Sequence, residues 1–187
     1  MSNFERKLKC NFEIINTKFQ EMHEFKLHSD GRGFKDENNR YRLNMELLVW
    51  LINTDTLILK NVSSYAKEKK AIKQMEDSIK VDELTESQKA QATLLGLYYA
   101  FNSFKHNKEI LKFSQPELKE NKFTETLSKS GEDRYYIFTD TWVAEDELTF
   151  EDNKIFYTEF LVGQSVYEVF QKARTFLSKQ YTVSKIV

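Results

Sequence analysis

The fold is decided by the stretch TESQKAQATLLGLYYAFNSFKHNK, residues 85–108. It opens with a capping box, because the Thr85 hydroxyl can accept from the amide of Gln88 while the Gln88 side chain reaches back. Apolar residues then follow at helical spacing: Ala90, Leu94, Leu97, Tyr98, Phe101 and Phe104. Since its other faces are also largely apolar, the segment is typical of a buried helix. It therefore predicts a central helix whose pattern ends near residue 113.

Further amphipathic helices are predicted before the central one. Apolar residues recur every three or four positions over Phe4–Met22, which predicts a helix over about 3–26. The stretch 29–39 combines two glycines with turn-forming residues and predicts a loop. A second apolar stripe runs over Leu43–Met75. It fits either one long helix or two helices separated near 61–64, where Asn and Ser compete for backbone hydrogen bonds.

An insertion rich in aromatic and β-branched residues is predicted over about 133–161. Within it, the stretch 134–143 has the composition of a strand. The second apolar run, 154–161, fits either a hairpin partner of that strand or the lead into the last helix. A second capping box begins that helix, predicted over 164–181. The sequence thus predicts a mainly α fold, a four- to five-helix bundle with a small β-hairpin insertion before the last helix.

Length and composition exclude several classes of protein. The 187 residues predict a single domain over 1–187. With 28 Lys+Arg against 29 Asp+Glu, there is no global field for nucleic acid or anionic lipid, so a local basic patch would have to bind either. A single cysteine, Cys10, excludes a disulfide framework and fits a reducing cytosol. No apolar run approaches the roughly 18 residues of a membrane span. We expect a cytoplasmic protein with no membrane partner.

Motifs for metals and cofactors are absent from the sequence. Gly31-Arg32-Gly33 lacks the lysine partner of a phosphate-binding loop. His23 and His28 lie five apart, whereas two zinc-binding histidines on one helix face lie four apart. We expect no metal and no cofactor.

The end of the central helix carries the cluster that points most clearly to chemistry. Asn102 and His106 lie four apart and project from one face, with Lys105 and Lys108 beside them. An imidazole titrates near about 6.5, so His106 could move a proton near neutral pH, and the ammonium groups could bind phosphate. A helix end that leaves a core also turns polar, and its dipole favours lysine. The residues fit either a binding site or a solvated helix end.

The segment Phe101-Asn102-Ser103-Phe104-Lys105-His106-Asn107 resembles the signature helix of the HEPN superfamily. Members are helical bundles, many of them ribonucleases of toxin–antitoxin, abortive-infection and antiviral defence systems of bacteria and phages. Their signature is an arginine followed at short spacing by a histidine, commonly with an asparagine after the arginine. The resemblance implies that Asn102 and His106 belong to a metal-independent ribonuclease site in the cleft of a homodimer. Phe101 stands where the family has its arginine.

Because the arginine is missing, the sequence leaves open whether the chain is a ribonuclease or an inactive protein. The resemblance implies that the family's arginine holds the scissile phosphate and its histidine assists transfer of the 2′-hydroxyl proton; phenylalanine can do neither. If the chain cleaves RNA, we expect Lys105, Arg40 or Arg42 to supply the charge. Lys108 and the Tyr99 ring are then further RNA contacts. The alternative is a catalytically inactive interaction module, such as an antitoxin, inhibitor or adaptor, that binds a protein partner. A third reading is an unrelated helical protein without a role in RNA.

Two other surfaces have plainer interpretations. The densest basic run consists of Lys67, Lys69, Lys70 and Lys73. Because acidic residues are interleaved with it, it fits a solvated helix face better than a wall for RNA. The aromatic residues of the insertion exceed what two strands can bury on each other, so we expect them to pack on the bundle or, as second choice, in a homodimer.

Overall fold

The computed structural model describes residues 1–28, 33–106, 110–114, 135–138 and 152–183. Within these ranges the chain is mainly helical, which confirms the predicted class, a helical bundle. The elements are α1 (Asn3–His28), α2 (Gly33–Asn61), α3 (Ser63–Gln74), α4 (Glu86–Lys105), β1 (Leu111–Ser114), β2 (Tyr135–Phe138), α5 (Lys154–Phe160) and α6 (Val166–Val183). Two single-turn 3-10 helices, Glu76–Ser78 and Val81–Glu83, join α3 to α4.

The central helix α4 begins where its capping box predicts. The Thr85 hydroxyl accepts from the Gln88 N–H at 3.3 Å, and the Gln88 carboxamide oxygen accepts from the Thr85 N–H at 2.8 Å. The helix contacts α2, α3, α5 and α6, so it is central. It ends at Lys105, earlier than predicted, because the residues from Leu111 onward pair in a strand instead. The pairing of this strand with a distant segment of the chain thus outweighs the local helical pattern.

The second apolar stripe forms two helices, one of the two alternatives that the sequence left open. Val62 is extended, with φ −123° and ψ 99°, and separates α2 from α3. The Asn61 side chain donates to the Leu57 carbonyl at 2.8 Å, one of the last carbonyls of α2. The loop predicted over 29–39 is wrong from residue 33 onward, where α2 has already begun. One glycine lowers helix stability by only about 1 kcal/mol, which the packed face that follows can offset.

The insertion differs from the prediction in its pairing. Residues 135–138 form the strand β2, but its antiparallel partner is β1, with Leu111 opposite Phe138 and Ser114 opposite Tyr135. The run 154–161, the other candidate partner, forms α5 and leads into the last helix. Residues 139–151 of the predicted insertion lie outside the described residues. Among the described residues, the strand of the predicted insertion therefore pairs with β1, which precedes the insertion, and not with the run 154–161.

The main core lies between α1, α2, α4 and α6, and α5 is fixed against α4 by close backbone approach. A Cβ atom on Gly96 of α4 would lie 2.7 Å from the Leu161 Cδ1 and 2.9 Å from the Phe156 carbonyl oxygen. Both distances are shorter than real Cβ contacts, so glycine is what lets α5 come this close. The largest fully buried side chains include Tyr65, Tyr157, Phe156, Phe170, Leu8 and Ile15. The aromatics of α5 thus pack on the bundle. None of the described helices is long and apolar enough to cross a membrane.

Candidate functional site

Three of the predicted site residues lie together at the end of α4. His106 is the residue that caps this helix, and its backbone N–H donates to the carbonyls of Asn102 at 3.2 Å and Ser103 at 3.1 Å. Lys105 and His106 are exposed, and Asn102 is half-buried. The negative end of the helix dipole favours positively charged side chains at this position. An amide, an ammonium and an imidazole are therefore within one turn of each other at the surface.

Lys105 lies over the ring of Phe101. Its ammonium is 4.2 Å from the ring centroid, and Phe101 itself is half-buried and packs against the main core. Such a pair at an exposed site contributes about 0.5–1 kcal/mol. Among the residues that the structure describes, no carboxylate forms an ion pair with Lys105. The ammonium of Lys105 thus covers one face of the Phe101 ring.

The structure describes the side chain of only one of the two arginines that the sequence suggested as a source of positive charge. Arg42 is exposed and forms an ion pair with Glu46 at 3.7 Å. Glu46 is shared with Lys18 of α1, whose ammonium lies 2.8 Å from it. Arg40 lies in α2, but its side chain is outside the described part, as is Lys108 altogether. Of the three basic residues expected to supply the charge, Lys105 is the one that the structure places beside Phe101.

The prediction that Tyr99 contacts RNA is wrong. Its side chain is 2% exposed, and its ring centroid lies 5.1 Å from that of Tyr157 in the core. A base can stack only on a ring face that solvent can reach. The error follows from the helix being apolar nearly all round, since that pattern does not tell which of its neighbouring tyrosines faces inward.

A second polar cluster, which sequence reasoning missed, is buried between α2, α3 and α4. We call Asp55, Thr56, Tyr65, Lys69 and Tyr98 the buried polar cluster. The Tyr65 hydroxyl donates to one carboxylate oxygen of Asp55, and the Lys69 ammonium donates to the other. The Lys69 ammonium also lies 4.6 Å from the Tyr98 ring centroid. A hydrogen bond of 2.7 Å joins the hydroxyls of Tyr98 and Thr56. The cluster connects three helices.

Burial determines the electrostatics of this cluster. Asp55 is fully buried and Lys69 is 5% exposed. Burial raises the pKa of the Tyr65 hydroxyl, and the Asp55 charge raises it further. The same two causes raise the pKa of Tyr98. Burial lowers the pKa of the Lys69 ammonium, against the opposing effect of Asp55. Since both Asp55 oxygens are occupied within the fold, we interpret the cluster as a structural clamp.

The buried polar cluster corrects the prediction that the whole basic run of α3 is a solvated face. Lys67, Lys70 and Lys73 are exposed, as predicted for a solvated face, but Lys69 is not. The signal was present in the spacing, because Tyr65, Lys69 and Ile72 form one buried stripe of α3. A lysine in the middle of an apolar stripe requires a buried acid.

An open groove lies at the opposite end of α4. It has a volume of about 510 Å³ and is lined by residues from the start of α4 and from the middle and C-terminal part of α6, among them Glu86, Ala90, Lys172, Phe176 and Lys179. At 1.5 Å per residue, the start of α4 is about 30 Å from its end. The groove is therefore separate from His106.

Neither a search for metal sites nor the comparisons with known proteins assign a function. In the described ranges, no group of three or more His, Cys, Asp or Glu side chains is placed to hold a metal ion. Comparison with protein-family models, curated proteins and solved structures finds no match to this chain. The functional interpretation therefore depends on the residues at the end of α4.

Proposed function

We propose that the chain is a HEPN-like protein of a bacterial or phage defence system that binds RNA at the end of α4 and cleaves it there without a metal. The observation that carries the proposal is the Lys105 ammonium, which lies over Phe101 next to the exposed His106. This ammonium returns positive charge to the position where the family has arginine. Because no described carboxylate pairs with it, it can bind a phosphate oxygen without first losing an ion pair.

The roles follow from the chemistry of the three side chains. Lys105 binds the phosphate, and Asn102 offers an amide beside it. His106 accepts the proton of the 2′-hydroxyl while the 2′-oxygen attacks phosphorus and the bond to the 5′-oxygen breaks. The products are a 2′,3′-cyclic phosphate and a 5′-hydroxyl, whose proton comes from water. Lysine presents a point charge where arginine presents a planar fork, so we expect slower cleavage than in a site with arginine. The cleft between two copies of the chain would exclude water from this site.

The test is incubation of the purified protein with total RNA in the presence of a metal chelator. We expect wild type to cleave, and His106→Ala and Lys105→Gln to fold but lose cleavage. Lys105→Arg should retain it or increase it, since the guanidinium restores a bidentate contact. Lys70→Gln is the matched control, because it removes an exposed lysine of α3. Light scattering on the same samples should give the mass of a dimer. Cleavage that persists in His106→Ala would refute the site.

The second candidate function is a catalytically inactive interaction module, such as an antitoxin, inhibitor or adaptor. The observation that favours it is Phe101, which packs against the core where the family's arginine would project. In that case, wild type leaves total RNA intact and does not bind it, and Lys105→Gln behaves as wild type. A protein partner should then be sought with the intact chain as bait.

A further inference from the structure

The ring of Phe101 has one side on the core and one side toward solvent. It is half-buried and packs against the main core, and the Lys105 ammonium lies 4.2 Å from its centroid. Lys105 is exposed, so the ring face that it covers is the outer one. The outer face of Phe101, next to the proposed phosphate-binding position, is thus covered by one flexible side chain.

A bound phosphate would uncover this face. The contact between an exposed ammonium and a ring is weak, whereas a hydrogen bond between an ammonium and a phosphate oxygen is charge-assisted and stronger. The lysine side chain has four methylene groups and can move its ammonium without moving the helix. A phosphate bound beside His106 would therefore draw the ammonium off the ring and leave the outer face of Phe101 free.

We propose that Phe101 is a stacking platform for an unpaired base next to the phosphate that Lys105 binds, and that the ligand of this site is single-stranded RNA. This rests on the proposed function. Aromatic rings that bind single strands stack successive bases and tolerate any sequence, because every base has a π-face. A duplex holds its bases paired and stacked inside the helix and offers no such face. In this proposal, Phe101 contacts a base, whereas the family's arginine at this position contacts a phosphate.

Phe104 provides the matched control. It is also half-buried on α4 and packs against the same core, but no lysine or arginine of the described residues lies over its ring. Replacing either phenylalanine by leucine removes an aromatic ring and keeps an apolar side chain. A loss of packing alone should therefore affect both variants in the same way.

The experiment measures the affinity of wild type, Phe101→Leu, Phe104→Leu and Lys105→Gln for a short fluorescein-labelled 2′-O-methyl RNA strand, alone and annealed to its complement. The methyl group blocks cleavage, so binding is read by itself. We expect wild type to prefer the single strand and Phe101→Leu to bind it about tenfold more weakly, the size of one lost stacking contact. Phe104→Leu should bind as wild type does. Thermal melting checks that every variant is folded.

A second measurement uses wild type alone, in case Phe101→Leu does not fold. Each base of the strand is replaced in turn by an abasic site, and one position should lose about tenfold in affinity. If Lys105→Gln loses binding but Phe101→Leu and the abasic series do not, the stacking platform is refuted and the RNA site stands. If wild type binds neither strand nor duplex, the proposed function itself fails, and the platform with it.

Discussion

Two lysines lie over aromatic rings of the same helix, and they differ in nearly everything else. Lys69 reaches the Tyr98 ring from α3, is buried and is neutralised by Asp55. Lys105 covers the Phe101 ring from one turn further along α4, is exposed and has no described acid beside it. The two ammonium groups lie at similar distances from their ring centroids, 4.6 Å for Lys69 and 4.2 Å for Lys105. The difference is the counter-ion: Asp55 neutralises the buried lysine, whereas no described acid neutralises the exposed one.

The buried pair can be broken by removing its charge. We expect Lys69→Gln to lower the free energy of unfolding by about 3–5 kcal/mol, because it leaves the Asp55 carboxylate buried without a cation. Urea denaturation followed by circular dichroism measures this loss. Lys70→Gln on the exposed side of α3 is the control and should change stability by less than about 0.5 kcal/mol. A loss below about 1 kcal/mol for Lys69→Gln would contradict a clamp.

Alkaline pH tests the buried polar cluster without a mutation that removes a charge. Tyr65 has a raised pKa in the folded chain, so above about pH 10 the unfolded chain releases a proton that the folded chain keeps. This contribution to stability is complete below that pH and is lost as the pH rises. The raised pKa of Tyr98 adds to this loss of stability. The lowered pKa of Lys69 has the opposite effect at pH values just below the ordinary lysine pKa, because there the unfolded chain keeps a proton that the folded chain has released.

Tyr65→Phe isolates one of these protons. Its stability should fall with rising pH less steeply than that of wild type, by up to about 1.4 kcal/mol per pH unit above pH 10. Urea denaturation at a series of pH values measures the two slopes. Parallel slopes for both proteins would show that the Tyr65 hydroxyl is not held protonated by its surroundings.

The exposed pair gives the smallest effect on stability. We expect Lys105→Gln to change the free energy of unfolding by at most about 0.5–1 kcal/mol, the size of an exposed cation–ring contact. The same variant should abolish RNA binding. Chemical denaturation and fluorescence anisotropy on one preparation test both expectations. If Lys105→Gln destabilised the chain as strongly as Lys69→Gln, the two pairs would have the same role and the comparison would fail.

The sequence predicts what local chemistry determines. The start of α4 follows from a capping box that satisfies its own amides, and the α1 stripe follows from helical periodicity. The pairing of β1 with β2 joins residues over 20 positions apart, and local composition cannot choose such a partner. In the site, the adjacency of Asn102, Lys105 and His106 is a matter of helix geometry. The burial of Tyr99 and the Asp55–Lys69 pair depend on how three helices meet, which no single segment encodes.

Gly96 is constrained by the packing of α5 and not by the residues at the end of α4. Its place is dictated by the approach of the α5 backbone, with the Phe156 carbonyl oxygen 2.9 Å from where any Cβ would be. That constraint belongs to the architecture and is independent of RNA. Among homologues that keep α5 against α4, position 96 should resist substitution whether or not His106 is present. A substitution at Gly96 therefore tests the packing of α5 on α4 separately from any role of His106.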